Sequence, residues 1–217
     1  GEDPFFGHID EHPQVAAIQR NADEKTTIFA EFFHSDWSFM PVPPAATALY
    51  GITIPPVGGD TLFSDQVAAY EQLPDDLRAK LEGLTAIHSA ALGYAPDGAY
   101  GEADQEQGRS MKILPSKRAL ETYEHPVVRT HHETGKKALF SSAAYIKAFV
   151  GLEKRESDAL LMELYAHQSQ AEFVYAHRWH AGMLVMWDNR SVLHAATGGY
   201  DGYDRLLHRT TISDTQF

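Results

Sequence analysis

The chain has 12 histidines and no cysteine in 217 residues, so a metal it holds must be bound by imidazole and oxygen rather than by thiolate. Two histidines stand two positions ahead of an aspartate, in His8-Ile9-Asp10 and His34-Ser35-Asp36. On a strand, residues i and i+2 point to the same side, so a His-x-Asp pair can offer two ligands to one ion. A second imidazole from elsewhere would complete the facial set of two histidines and one carboxylate, which holds Fe(II) and leaves positions open for co-substrate and oxygen. With 12 histidines and 15 aspartates, about one His-x-Asp is expected by chance, so the motif alone proves nothing. A histidine satisfied by hydrogen bonds in a core is the plainer account of either. Context separates the two. His34 and Asp36 sit in Phe32-Phe33-His34-Ser35-Asp36-Trp37-Ser38-Phe39, whose aromatic walls suit a dry pocket. A much later strand end, Val192-Leu193-His194, can bring in a third ligand. His8 lies in a polar, proline-flanked segment without such a frame.

The elements that must position these residues are mostly strands. Val15-Ala16-Ala17-Ile18 is a short apolar run, and ATALYGITI at 46–54 is β-rich and stops at Pro55-Pro56, where proline cannot donate to a ladder. Gly58-Gly59-Asp60 is a turn, after which Thr61-Leu62-Phe63 resumes extended structure. From Gln66 to Leu84 apolar residues recur at three- and four-residue steps, which predicts a helix broken at Pro74 and restarted there. Glu133-Thr134-Gly135-Lys136 between Val127–Thr130 and Ala138–Phe140 is a hairpin signature, and 153–168 reads as a helix with Leu160, Leu161, Leu164 and Tyr165 on one side. Glu172–Trp179, Leu184–Trp187 and Arg209–Ile212 read as strands. Residues 93–110 are glycine-rich and acidic, which predicts a long surface loop, either a mobile lid or disordered. No repeat and no linker interrupts the chain, so 1–217 reads as one domain. Strands, then a central helical part, then strands fit a mainly β fold with flanking helices, closed around an interior site as in a jelly roll.

Composition narrows the function classes. Without cysteine, a disulfide scaffold, an iron–sulfur protein and a thiol enzyme are excluded. The formal charge of −12 argues against nucleic acid and anionic membranes as partners, although a small anionic substrate needs only one or two local arginines. No run approaches the roughly 20 apolar residues of a membrane span, and a cytoplasmic location is expected. No Gly-x-Gly-x-x-Gly, P-loop or Gly-x-Ser-x-Gly occurs, which removes the usual nucleotide and serine-hydrolase readings.

Four ordered motifs resemble those of the taurine dioxygenase family of Fe(II)- and 2-oxoglutarate-dependent oxygenases. They are His34-Ser35-Asp36, Pro55-Pro56-Val57-Gly58-Gly59-Asp60-Thr61, Trp187-Asp188-Asn189-Arg190-Ser191-Val192-Leu193-His194 and Arg205-Leu206-Leu207-His208-Arg209. The likeness runs colinearly over about residues 30–215 and includes His125-Pro126-Val127-Val128-Arg129-Thr130-His131. It implies a double-stranded β-helix core, cupin-like, and makes His34, Asp36 and His194 the iron ligands. Arg205 would pair with the distal carboxylate of 2-oxoglutarate, for which a guanidinium offers a bidentate fork, and Thr61 would share that carboxylate. Arg209 would take the anionic group of the substrate. Four residues from Arg205, it shares that residue's face on a strand; a structural salt bridge is its plainer alternative. Trp187 reads as core, and Asp188, Asn189 and Arg190 as turn groups orienting His194.

The chain departs from the family where the substrate would lie. Ala30 stands in the place of a substrate-holding amide, and Phe5, Phe6, Phe33, Trp37 and Phe39 suggest a more apolar pocket, with Phe33 and Trp37 as substrate contacts. The family normally has further residues before this chain begins. The resemblance implies hydroxylation of a sulfonate, alkylsulfate or aryloxyalkanoate by Fe(II), 2-oxoglutarate and O₂, with fragmentation of the product. It also implies a homo-oligomer. The rival expectations are the same chemistry on an amino acid or natural-product intermediate, and a jelly-roll module that binds iron or zinc without oxygenase activity.

Overall fold

The computed structural model describes residues 3–214. Its strands are β1 (His8–Ile9), β2 (His12–Arg20), β3 (Ala46–Thr53), β4 (Thr61–Asp65), β5 (Thr85–Ser89), β6 (Thr122–Pro126), β7 (Val128–Thr130), β8 (Lys137–Leu139), β9 (Ile146–Phe149), β10 (Val174–His177), β11 (Leu184–Asp188), β12 (Val192–Ala196) and β13 (Arg205–Ile212). The helices are α1 (Gln66–Glu71), α2 (Asp75–Leu81), α3 (Ala91–Tyr94), α4 (Glu102–Glu106) and α5 (Lys154–Gln168).

Two antiparallel sheets make the core. The larger runs β1-β2-β13-β3-β11 and the smaller β10-β4-β12. They face each other: Leu49 of β3, Trp187 of β11 and Leu207 of β13 are buried together, with Phe63 of β4 and Val192 of β12 packed against them. The β13 strand alternates strictly, with Arg205, Leu207, Arg209 and Thr211 buried and the residues between them more open. Both arginines therefore point into the sandwich, as their four-residue spacing predicts.

Helix boundaries follow local chemistry. The Asp65 carboxylate caps α1 by accepting from the Val67 and Ala68 amides at 2.9 and 3.0 Å. Pro74 stands just before α2, as its N-cap rather than its first turn. Leu160 and Leu164 of α5 are buried in a second core with Leu77, Leu81, Leu139 and Phe149. The β7–β8 hairpin forms where the Glu-Thr-Gly-Lys signature stands, and Gly135 there has φ 69°. The three-stranded sheet β6-β5-β9 was not legible in the sequence, because its short strands carry polar and apolar residues in no clean alternation.

Residues 93–110 are not an unstructured loop. The stretch holds the end of α3 and all of α4. Arg109 forms an ion pair with Asp104 and donates to the Thr27 carbonyl at 3.0 Å, while the Ser110 amide donates to Glu24 at 2.9 Å. The Tyr100 phenol accepts the Ala30 amide at 3.0 Å. The segment is thus fastened along residues 24–30, directly before His34. Among the described residues, no helix is long and apolar enough to cross a membrane.

Candidate metal centre

His34 and His194 meet through backbone pairing. Each donates its amide to the other's carbonyl, at 3.0 and 2.9 Å, an isolated antiparallel bridge that lays the ligand loop against β12. Asp36 does not lie on a strand with His34, contrary to the simple reading of His-x-Asp. The chain leaves the bridge at once into turns, with Trp37 in the left-handed region at φ 52° and the Met40 amide donating to the Trp37 carbonyl at 2.8 Å. The turn still delivers the carboxylate to the imidazoles. One ligand atom from each of His34, Asp36 and His194 lies within 4.8 Å of the others, and all three side chains are buried.

The donor chemistry suits a divalent ion. His34 Nδ1 lies 2.9 Å from the Phe32 carbonyl, which fixes the proton on that nitrogen and leaves the Nε2 lone pair facing Asp36. Nε2 of His34 is 3.8 Å from Asp36 Oδ1, and Nε2 of His194 is 3.9 Å from Asp36 Oδ2. Both gaps are too long for hydrogen bonds and close enough for one ion to bridge. Burial holds both imidazoles below their ordinary range, His194 at about 3, so both are neutral ligands at neutral pH. Burial alone would raise the Asp36 carboxyl, but Arg209 above all, then His194 and His34, hold it at about 2. Two neutral imidazoles and a carboxylate, shielded from water and without thiolate, fit Fe(II).

A hydrogen-bond relay fixes the carboxylate. The Trp187 indole donates to Asn189 Oδ1 at 3.0 Å, Asn189 Nδ2 donates to Thr47 Oγ1 at 2.9 Å, and the Thr47 hydroxyl donates to Asp36 Oδ2 at 2.6 Å. Of the expected orienting trio only Asn189 joins the centre, and it acts on Asp36 rather than His194. Asp188 and Arg190 bind each other, and Asp188 also binds His131. Sequence spacing could not find Thr47, because its link to Asp36 depends on where β3 lies. Thr47→Val keeps the side-chain shape and removes the donor. We expect it to weaken Fe(II) binding about 10- to 100-fold, read by anaerobic titration of the folded protein.

A solvent-open cleft lies over the centre, with His34, His194, Thr61 and Trp187 in its walls. Four arginines also line it: Arg20, Arg109, Arg205 and Arg209. Three of them are matched by carboxylates: Arg20 by Glu24, Arg109 by Asp104, and Arg209 by Asp3 and Asp36. Arg205 differs. It is 6% exposed, gives Nη2 to the Gly59 carbonyl at 3.1 Å, and has no carboxylate within ion-pair distance among the described residues. Its buried Nε has no hydrogen-bond partner there, and burial depresses its guanidinium below the usual value. A buried cation left in this state is costly unless an anion completes it. Thr61 Oγ1 accepts the Trp179 indole proton at 2.9 Å, so its own hydroxyl proton is free to donate into the cleft.

Three expected substrate contacts are placed otherwise. Arg209 is no open anion clamp: its guanidinium lies between Asp36 at 3.2 Å and Asp3, and Asp3 also accepts from the Phe5 amide and the Trp37 indole. The plainer reading, a structural salt bridge, describes what is seen. Phe33 packs with Leu193 and Ala195 and does not line the cleft. Trp37 is turned toward Asp3 and Arg209 by its left-handed backbone, away from the cleft. Phe5, Phe6 and Phe39 belong to a buried core cluster.

The sequence model described as the taurine catabolism dioxygenase TauD, TfdA family matches residues 1–211. An alpha-ketoglutarate-dependent 2,4-dichlorophenoxyacetate dioxygenase of Cupriavidus pinatubonensis is 40% identical over 197 residues, covering 90% of this chain and 65% of that protein. An alkylsulfatase of Acinetobacter baylyi is 33% identical over 214 residues, covering 96% of this chain and 66% of the other. The crystal structure of a taurine dioxygenase from Burkholderia xenovorans matches with a TM-score of 0.75 at 35% identity, over 98% of this chain and 69% of that one. The chain thus spans slightly less than two thirds of the length of these two curated relatives.

Proposed function

This chain belongs to the TauD/TfdA dioxygenase family, and from that premise we propose that it is an Fe(II)- and 2-oxoglutarate-dependent dioxygenase hydroxylating a small organic anion. The observation that carries the reading is Arg205, the cleft arginine with no carboxylate in ion-pair distance among the described residues, in the same cleft as His34 and His194, whose imidazoles close on Asp36. Iron held there with 2-oxoglutarate and O₂ supplies the oxidising power, coupling loss of CO₂ and formation of succinate to hydroxylation of the substrate.

The protein positions the reacting groups. His34, Asp36 and His194 would hold the ion, and the Thr47 relay keeps Asp36 from rotating away. Arg205 receives the distal carboxylate of 2-oxoglutarate through its planar fork, with the Gly59 carbonyl fixing the guanidinium. Thr61 donates its free hydroxyl proton to the same carboxylate. Arg209, paired with Asp3 and Asp36, holds Asp36 in place. Trp187, Leu49 and Ile18 give the cleft an apolar wall beside its arginines. The relatives named for a chlorophenoxyacetate and for alkylsulfates support an organic anion whose oxidised carbon adjoins an ether or ester oxygen. Hydroxylation at such a carbon gives a product that breaks at the neighbouring bond.

Anaerobic addition of Fe(II) and 2-oxoglutarate to the protein is expected to give a weak visible charge-transfer band. Admission of air should then release succinate, faster with a matching anion drawn from taurine, alkylsulfates and phenoxyalkanoates. Folded protein that shows no band would remove the proposal in favour of a metal-binding module.

A further inference from the structure

Asp36 rides on a turn that the protein grips at several points. Trp37, the residue after it, has φ 52°. A bulky aromatic residue is strained in the left-handed region and keeps that conformation only where its surroundings fix it. Ahead of Trp37, the Ser35 hydroxyl donates to the Asn189 carbonyl at 2.8 Å, and the Trp37 indole itself donates to Asp3 at 3.0 Å. Beyond Trp37, two histidines of the β6-β5-β9 sheet take hold of the chain. His88 of β5 places Nδ1 3.0 Å from Ser38 Oγ, and His125 of β6 donates from Nε2 to the Met40 carbonyl at 2.9 Å.

The two histidines share one face of their sheet. In the β5–β6 ladder Ala86 pairs with His125 and His88 with Tyr123, so the imidazoles are diagonal neighbours, with ring centroids 5.3 Å apart. Phe140 completes the group, 5.7 Å from each ring. Burial holds His88 at about 3 and His125 below its ordinary range, so both act as neutral hydrogen-bonding groups. Two core histidines that happen to find polar neighbours would be the plainer account. Against it, both grip the same turn, at the second and fourth residues after Asp36. His88 is also fully buried with an Nε2 that has no hydrogen-bond partner among the described residues, a cost that an apolar side chain would avoid. We propose that His88 and His125 are positioning residues for the metal centre, holding the turn after Asp36 so that its carboxylate is set beside the two ligand imidazoles before an ion arrives. Thr47 and Arg209 hold the oxygens of that carboxylate, and the two histidines hold the backbone that carries it. The inference rests on the proposed Fe(II) site and gives a role to His125, which belongs neither to the ligand set nor to the cleft walls.

The test is anaerobic Fe(II) titration of the whole protein, with the melting temperature recorded for every variant. His88→Leu and His125→Leu remove the grip, whereas His88→Asn and His125→Gln return an amide at nearly the same reach. Ser38→Ala cuts the His88 contact from the turn side with little change in volume. We expect the leucine variants and Ser38→Ala to weaken Fe(II) binding about tenfold, the lower end of the effect of outer hydrogen-bonding partners. The asparagine and glutamine variants should recover most of that affinity, even where their melting temperatures fall as far as those of the leucine variants. A purely structural role would instead make affinity follow melting temperature. The proposal is overturned if the folded leucine variants and Ser38→Ala bind Fe(II) like the unaltered protein, or if asparagine and glutamine restore nothing. Ser38→Ala decides if the leucine variants do not fold. Failure of the unaltered protein to bind Fe(II) would remove the metal centre and this inference with it, whereas normal binding there with unaffected variants removes the positioning role alone.

Discussion

Replacing His194 by alanine is expected to abolish Fe(II) binding and turnover while leaving the fold in place. The side chain lies 3.9 Å from Asp36 and its Nδ1 has no hydrogen-bond partner among the described residues, so its removal breaks no side-chain hydrogen bond. The backbone pairing of residue 194 with residue 34 does not depend on the imidazole. What goes is one of the three side chains proposed to hold the ion. The loss should exceed the roughly 10- to 100-fold that follows removal of an outer hydrogen-bonding partner. Thr47→Val and His194→Ala therefore form a graded pair, read in one anaerobic titration with circular dichroism confirming the fold. If His194→Ala bound Fe(II) as tightly as the parent, the centre would have to be placed elsewhere.

Arg205→Ala carries the second large effect, with opposite signs on two measurements. For 2-oxoglutarate, truncating one partner of a buried charge pair should raise the dissociation constant about 100-fold or more. The charge-transfer band should then appear only at correspondingly higher 2-oxoglutarate. For the ligand-free protein the same change removes a buried cation that, among the described residues, has no carboxylate in ion-pair distance and an unsatisfied Nε. Its melting temperature should therefore hold or rise rather than fall. Arg205→Lys keeps a charge but loses the fork, and should recover only part of the affinity. A normal 2-oxoglutarate affinity in Arg205→Ala would overturn the role given to this residue. A marked fall in apo stability would show instead that the arginine is structural. The contrast with Arg209 is instructive, since both are buried on one face of β13 and only Arg209 arrives already paired.

Much of the site was legible along the chain. His34, Asp36, His194, Thr61 and Arg205 all fall in short motifs, and all but Asp36 border the same cleft. The helix break at Pro74, the α5 face built on Leu160 and Leu164, and the β7–β8 hairpin were legible for a related reason. Proline geometry, turn chemistry and side-chain periodicity act over a few residues.

The remainder depends on contacts between residues far apart in sequence. Thr47 touches Asp36 because β3 pairs with β11 and β13, which no spacing within 34–47 specifies. Arg209 is neutralised by Asp3, 206 residues away, although the family resemblance assigned it to a substrate anion. Phe33 and Trp37 flank the ligands yet turn from the cleft, while Phe29, Tyr94, Tyr100 and Tyr145 wall a recess beside His34. The sequence by itself singled out the side chains proposed here to hold the ion and the co-substrate, because ligand type and short spacing are local properties. Only the tertiary structure decided which cation stays free and what shape the substrate meets. Those depend on which side chains the packing of the sheets and the 93–110 segment brings together.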